Sequence, residues 1–121
     1  MVSGDTAYGP IGFDAANLPS PPQLLLHEAT FLADQQEKAT QYYHCTAADA
    51  ARHATACKAS ALALTHYSSR IERLSPLVSE AREHFSGGVA ATSDGDWFGI
   101  DANGDVSHHV RVENSWNKKN L

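Results

Sequence analysis

Apolar positions along this chain fall in short runs, separated by polar stretches rich in glycine, proline and small residues. Gln23–His27 holds Leu24-Leu25-Leu26, a strand-sized run followed by Glu28, and Ala61–Thr65 is a second such run, closed by His66. Runs this short and this apolar suit strands buried on both faces of a parallel sheet. Met1-Val2-Ser3 reads as the tail of another strand, ending at Gly4-Asp5-Thr6. Residues 7–22 end in Pro19-Ser20-Pro21-Pro22 and read as loop, with one short helical turn near Phe13–Asn17. A helical stretch is expected around Asp34–Thr40. Thr46-Ala47-Ala48-Asp49 is a capping-box pattern that opens an alanine-rich helix reaching about Lys58. Pro76 suits the first turn of a third helix running to Phe85, and Gly87-Gly88 stops it. Strands are predicted over Val89–Thr92, Trp97–Asp101 and Val106–Val112, with Asn103-Gly104 as a tight turn.

Strand, helix, strand, helix and then a C-terminal β-hairpin is an α/β pattern. A chain of 121 residues fits one domain, expected over 1–113, with the polar stretch 114–121 as a disordered tail. Hydrophobic residues make up 42% and charged residues 19%, an ordinary globular balance. No apolar run approaches the roughly 20 residues a membrane span needs, so no membrane partner is expected. The start lacks a basic stretch followed by an apolar core and does not read as a secretory signal. Two cysteines, Cys45 and Cys57, are too few for a disulfide scaffold and fit a reducing, cytoplasmic setting, although two could pair. A formal charge of −5 argues against nucleic-acid binding driven by bulk charge, so such a partner would have to meet a local basic patch or one supplied by another chain. The seven histidines are the compositional oddity, because histidine with carboxylate is what a hydrolytic metal site consumes.

In open α/β sheets, active residues collect just beyond the C-terminal ends of strands. Three polar clusters fall there: Asp5, His27-Glu28 and His66. A carboxylate such as Asp5 can bridge two ions, yet taken alone it reads as a turn aspartate. His66 is well placed as a metal ligand, yet a lone histidine closing a strand is more often a core or capping residue. Glu28 beside His27 could orient an imidazole and keep it protonated for acid catalysis. His44 precedes a helix N-terminus, where it could equally be a structural neighbour of the Thr46 cap.

The order and spacing of these motifs carry more than any one of them. Ser-Gly-Asp-Thr at 3–6, Leu-Leu-Leu-His-Glu-Ala-Thr-Phe at 24–31, His-x-Thr-Ala at 44–47 and Leu-Thr-His-Tyr-Ser-Ser-Arg at 64–70 together resemble the ribonuclease Z family, over roughly residues 2–86. That family comprises metallo-β-lactamase-fold endonucleases that trim the 3′ trailer from precursor tRNA. The resemblance implies half of an αββα sandwich with a mixed sheet and flanking helices. It implies two zinc ions, with Asp5 as the bridging aspartate and His66 as a terminal ligand. It makes Glu28 and His44 the catalytic pair, His44 protonating the leaving 3′ oxygen, with His27 and Thr46 in supporting positions and Arg70, less directly Arg73, facing phosphate. Where the family carries His-Ser-Thr, this chain has His44-Cys45-Thr46, which puts a thiol near zinc.

The family's His-x-His-x-Asp-His ligand cluster and a further ligand histidine have no counterpart in these 121 residues. The chain is therefore expected to be a C-terminal half, inactive alone, whose partner is a missing N-terminal half or a second chain. An open sheet face would then favour homo-oligomers. Another metallo-β-lactamase-fold hydrolase, or a non-catalytic α/β binding or structural module, stays open as an alternative. Asp94, Asp96, Asp101 and Asp105 lack the glycine and closing glutamate of a calcium loop, and His108-His109 point to opposite faces of a strand.

Overall fold

The computed structural model describes residues 1–9 and 12–121; Pro10 and Ile11, within the loop expected over 7–22, lie outside the described residues. The strands β1 (Leu24–Glu28), β2 (Ala61–Thr65) and β3 (Gly88–Ala91) form a parallel sheet in the order β1-β2-β3. Leu24 pairs with Ala61 and Glu28 with Thr65, so β1 and β2 end level. Val2 bridges to Leu26 on the outer side of β1, which lays the first residues alongside it as a parallel extension.

Helices α1 (Gln36–Gln41) and α2 (Ala47–Ala56) connect β1 to β2, and α3 (Ser75–Arg82) connects β2 to β3. The pattern-based expectations for these elements hold to within a few residues at each end. Helices α2 and α3 pack on each other and on the sheet. Alanines at 47, 50, 51 and 54 give α2 a smooth inner face, which lets it approach Leu25, Leu62 and Leu64 closely. Leu77, Ala81, Phe85 and Val89 complete the core from the α3 side.

The capping box at the start of α2 forms as its sequence predicts. The Thr46 hydroxyl accepts from the Asp49 N–H at 3.1 Å, and the Asp49 carboxylate accepts from the Thr46 N–H at 3.0 Å. Both residues are buried, and Asp49 also accepts from Gln36 and Arg52. Thr46 thus acts through the helix start, holding the preceding His44-Cys45 in place.

The remaining strands form a second, separate sheet, antiparallel in the order β4 (Trp97–Ile100), β5 (Val106–Val112), β6 (Ser115–Asn120). In place of one mixed sheet there are two sheets, each of a single kind. The tail over 114–121, expected to be disordered, is instead mostly β6, paired along its length with β5. Composition hid it, because its side chains are exposed and, Trp116 apart, polar, while its backbone satisfies the edge of β5. His108 is buried, donating from Nε2 to the Asp96 carboxylate at 2.8 Å and stacked on Phe98, while His109 stacks on Trp97. Among the described residues no helix is long and apolar enough to cross a membrane.

Two substitutions test this account of the core. Thr46→Ala should lower unfolding free energy by about 1 kcal/mol through loss of the cap. Leu62→Ala, at the centre of the parallel sheet, should cost about 2–5 kcal/mol. Urea denaturation followed by circular dichroism measures both, and equal effects would contradict the packing described.

Candidate metal and acid–base site

Asp5, His44 and His66 meet at the C-terminal edge of the parallel sheet, on three separate loops. One ligand atom from each lies within 4.8 Å of the others. His66 Nε2 is 3.6 Å from Asp5 Oδ1, and the His44 and His66 rings stack with centroids 5.4 Å apart. Asp5 and His66 are exposed and His44 half-buried, so the cluster faces solvent.

Glu28 organises the cluster from beneath. Its side chain is buried at 1% exposure, and each carboxylate oxygen accepts two hydrogen bonds. Oε1 accepts from the Thr6 N–H at 3.0 Å and from His44 Nδ1 at 2.9 Å. Oε2 accepts from the Thr30 N–H at 3.3 Å and from the Thr30 hydroxyl at 2.6 Å. The donor roles follow from this arrangement. A carboxylate only accepts, so His44 carries its proton on Nδ1 and presents Nε2 outward. The Thr30 hydroxyl has one proton, committed to Glu28, so at 3.0 Å it accepts from His66 Nδ1, and His66 also presents Nε2. One buried carboxylate therefore sets the tautomer of both histidines, as partners beneath a metal-ligating imidazole do.

Local backbone conformation aims the loops. Gly4 (φ 64°), Tyr43 (φ 59°) and His66 (φ 57°) all lie in the left-handed region. Each stands at, or one residue before, a member of the cluster. For Tyr43 and His66, which carry a Cβ, that conformation is strained, and such strain gathers at functional sites. The loops are tied together by the bridge between Phe31 and Thr46 and by the Ser68 N–H donating to the Thr30 carbonyl.

Of the residues singled out in the sequence, Asp5, Glu28, His44 and His66 come together. His27 and Cys45 do not join them. Alternation along β1 sends His27 to the helix-facing side, with Leu25, and Glu28 to the other. His27 Nδ1 lies 2.8 Å from the Glu28 carbonyl, and its Nε2 lies 2.8 Å from Nδ1 of His53 on α2. Cys45 is fully buried and groups with those two rings, so its thiol is not placed beside Asp5 and His66. Arg70 and Arg73 are exposed in the segment between β2 and α3. Arg70 lines a cleft of about 230 Å³ with Phe31, Lys38 and Ser68, beside the cluster rather than in it.

Thr30 and His53 are the members that sequence reasoning left without roles. Thr30 lies two residues beyond Glu28, close enough for its hydroxyl to return to the carboxylate. His53 is the one ring on the inner face of an otherwise alanine-lined helix, a signal that helical periodicity could have raised.

Burial governs the internal rings. It holds the His53 pKa down at about 4, with neighbouring His27 adding to the effect and Asp49 opposing it. Burial likewise lowers His27, against the Glu28 carbonyl and the charges of Glu28 and Asp49. The Cys45 thiol is pushed well up by burial, and further by Asp49 and Glu28.

Comparison with known proteins bears on the fold and on the family resemblance. No family model matches the chain. The chain is 43% identical over 96 residues to ribonuclease Z of Myxococcus xanthus, covering 78% of itself and 30% of that protein. It is 47% identical over 73 residues to ribonuclease Z of Haloarcula marismortui, covering 60% of itself and 24% of that protein. The chain is similar to ribonuclease Z over most of its own length. Among solved structures it resembles the metallo-β-lactamase fold protein YhfI from Bacillus subtilis, with a TM-score of 0.68 and 29% identity over 78% of this chain and 36% of that one. It also resembles a long form RNase Z from yeast, with a TM-score of 0.54 and 34% identity over 60% of this chain and 10% of that one. The chain thus spans less than a third of the curated relatives just named, and its fold is that of part of a metallo-β-lactamase-like domain. The resemblance to ribonuclease Z read from the four ordered motifs is borne out.

Two measurements follow from this geometry. Glu28→Gln replaces an accepting oxygen with an NH₂ group facing N–H donors. It should cost about 1.5–3 kcal/mol, the scale of hydrogen bonds to a charged group, and chemical denaturation reads it. The second concerns pH. Unfolded, His53 protonates near 6.5; folded, it stays neutral down to about 4. Its contribution to stability is therefore complete above pH 6.5 and is lost as pH falls toward 4. Thermal melts across that range should show a loss that is smaller in His53→Gln, and identical slopes would refute the assignment.

Proposed function

We propose that this chain contributes one part of a metal-dependent phosphodiesterase site acting as a tRNA 3′-trailer endoribonuclease of the ribonuclease Z kind. The observation that carries the reading is the buried Glu28 carboxylate, which turns His44 and, through Thr30, His66 outward beside Asp5. A carboxylate and imidazole nitrogens with their second ring nitrogens already engaged suit a divalent ion of the zinc type. Asp5 and His66 would hold it, and such an ion supplies Lewis-acid stabilisation and an activated water.

The chain's own residues divide the remaining work. His44, with Nδ1 donated to Glu28, would deliver a proton from Nε2 to the leaving 3′ oxygen. The Glu28 charge would stabilise the imidazolium before transfer. Arg70 and Lys38 line one cleft beside the cluster, where they would face the phosphates of precursor tRNA. Asp5 and His66 are too few to hold two ions, so further ligands are needed from an N-terminal half or a second chain. Homo-oligomers would be one way to supply a second chain. The buried free thiols Cys45 and Cys57 support a reducing, cytoplasmic setting.

A second reading has its own support: the proximity of His44 to Asp5 and His66 would make it a third metal ligand. Joined to an N-terminal half carrying His-x-His-x-Asp-His, the protein should release the trailer from precursor tRNA. In that assembly Asp5→Ala should abolish both cleavage and metal binding. His44→Ala should keep metal and slow cleavage by roughly 10²–10⁴-fold, the loss typical of a general acid. Loss of metal in His44→Ala would make it a ligand. An assembly that holds metal and never cuts RNA would overturn the nuclease reading.

A further inference from the structure

His27, Cys45 and His53 form a second cluster on the opposite side of β1 from Glu28. Their ligand atoms lie within 4.8 Å of one another, and all three residues are buried. His27 is fully enclosed, as is Cys45, and His53 is 6% exposed. Nothing in the proposed chemistry uses them.

We propose that these three side chains form a metal site for a thiophilic d¹⁰ cation, Cu(I) or Zn(II), held by two imidazole nitrogens and a thiolate. Two imidazoles with one cysteine sulfur make a donor set suited to such ions, because soft sulfur selects Cu(I) and Zn(II) over harder cations.

The hydrogen bonds prearrange the ligands. The Glu28 carbonyl can only accept, so His27 carries its proton on Nδ1 and keeps the Nε2 lone pair. That lone pair accepts from His53 Nδ1 at 2.8 Å. A cation would take the place of the proton between the rings. Two nitrogens on a tetrahedral ion, each at about 2.0–2.1 Å, stand roughly 3.3 Å apart, so the rings need open by only about half an ångström. His27 would then already have the carbonyl partner that orients a metal-bound imidazole.

The proton balance is defined. Cys45 loses its thiol proton to solvent as the sulfur–metal bond forms. The His53 proton leaves Nδ1 and returns on Nε2, so one proton is released for each ion bound. Both imidazoles are neutral near pH 7 and need shed no extra charge. Asp49 and Glu28, the acids whose field reaches Cys45, His27 and, for Asp49, His53, favour a cation there.

The surroundings suit a held ion. Phe13 packs against both rings, edge-on to His27 and tilted on His53, and Tyr8 stacks on His53 at 4.8 Å. Tyr8 is itself 48% exposed, so the stack is thin on that side and gives a route inward.

Co(II) separates this cluster from Asp5, His44 and His66, because only a thiolate ligand gives Co(II) an intense near-ultraviolet charge-transfer band. Titration of the purified chain with Co(II) should produce that band at one equivalent, with one proton released in weakly buffered solution. Asp5→Ala and His66→Ala should retain the band, and so should Cys57→Ser, which removes the other thiol. Cys45→Ser should abolish it. His53→Gln should abolish it as well, and stands in if Cys45→Ser fails to fold. Competition with a Cu(I) chelator under reducing, oxygen-free conditions, set beside Zn(II) displacement of Co(II), decides which cation binds more tightly. Absence of a thiolate band, or its persistence in a folded Cys45→Ser or in His53→Gln, would overturn the proposal, as would its loss in Cys57→Ser.

Discussion

The candidate site depends on a carboxylate placed where carboxylates are expensive. Glu28 is almost fully buried, and an ionised group there is tolerable only when its lone pairs are occupied. Thr6, His44 and Thr30 occupy them between them, and those residues come from the loop after the first bridged segment, the loop before α2 and the turn after β1. The requirement that satisfies Glu28 also fixes which ring nitrogens face solvent. Ring orientation and structural satisfaction are here one set of hydrogen bonds.

Neighbouring residues on β1 serve opposite faces of the sheet. Glu28 looks toward the exposed cluster, while His27 looks toward α2 and the enclosed pair with His53. The two are linked by His27 Nδ1, which donates to the backbone carbonyl of Glu28 itself. A change in the ring pair is therefore felt at the peptide that carries the organising carboxylate. The alanine face of α2 makes this possible, since bulkier residues would hold the helix too far from β1 for the rings to meet.

Much of this architecture was legible in the sequence because its signals are local. The apolar runs at 24–28 and 61–65, the Thr46-Asp49 capping box and the Pro76 helix start each specify an element without reference to the rest of the fold. The four ordered motifs likewise pointed to Asp5, Glu28, His44 and His66, which the structure assembles. What escaped was set by long-range geometry. Thr30 gains its role only when the turn after β1 meets His66, thirty-six residues on. Cys45 was placed by adjacency to His44, yet the start of α2 turns consecutive side chains apart. The stretch at 115–120 has a polar composition and became a strand because β5 offered an unpaired edge.

The three left-handed residues at the mouth of the candidate site differ in what selection can do with them. Gly4 bears that conformation without a side-chain penalty. Tyr43 carries the penalty but donates nothing to the cluster, so glycine or asparagine there would relax the backbone and leave Asp5, His44 and His66 in place. His66 carries it with its imidazole at the cluster, and the glycine or asparagine that eases the chain removes that ring. Directed evolution toward heat resistance would therefore find an easy gain at position 43 and a trap at position 66, where variants that survive hotter would have lost the ring.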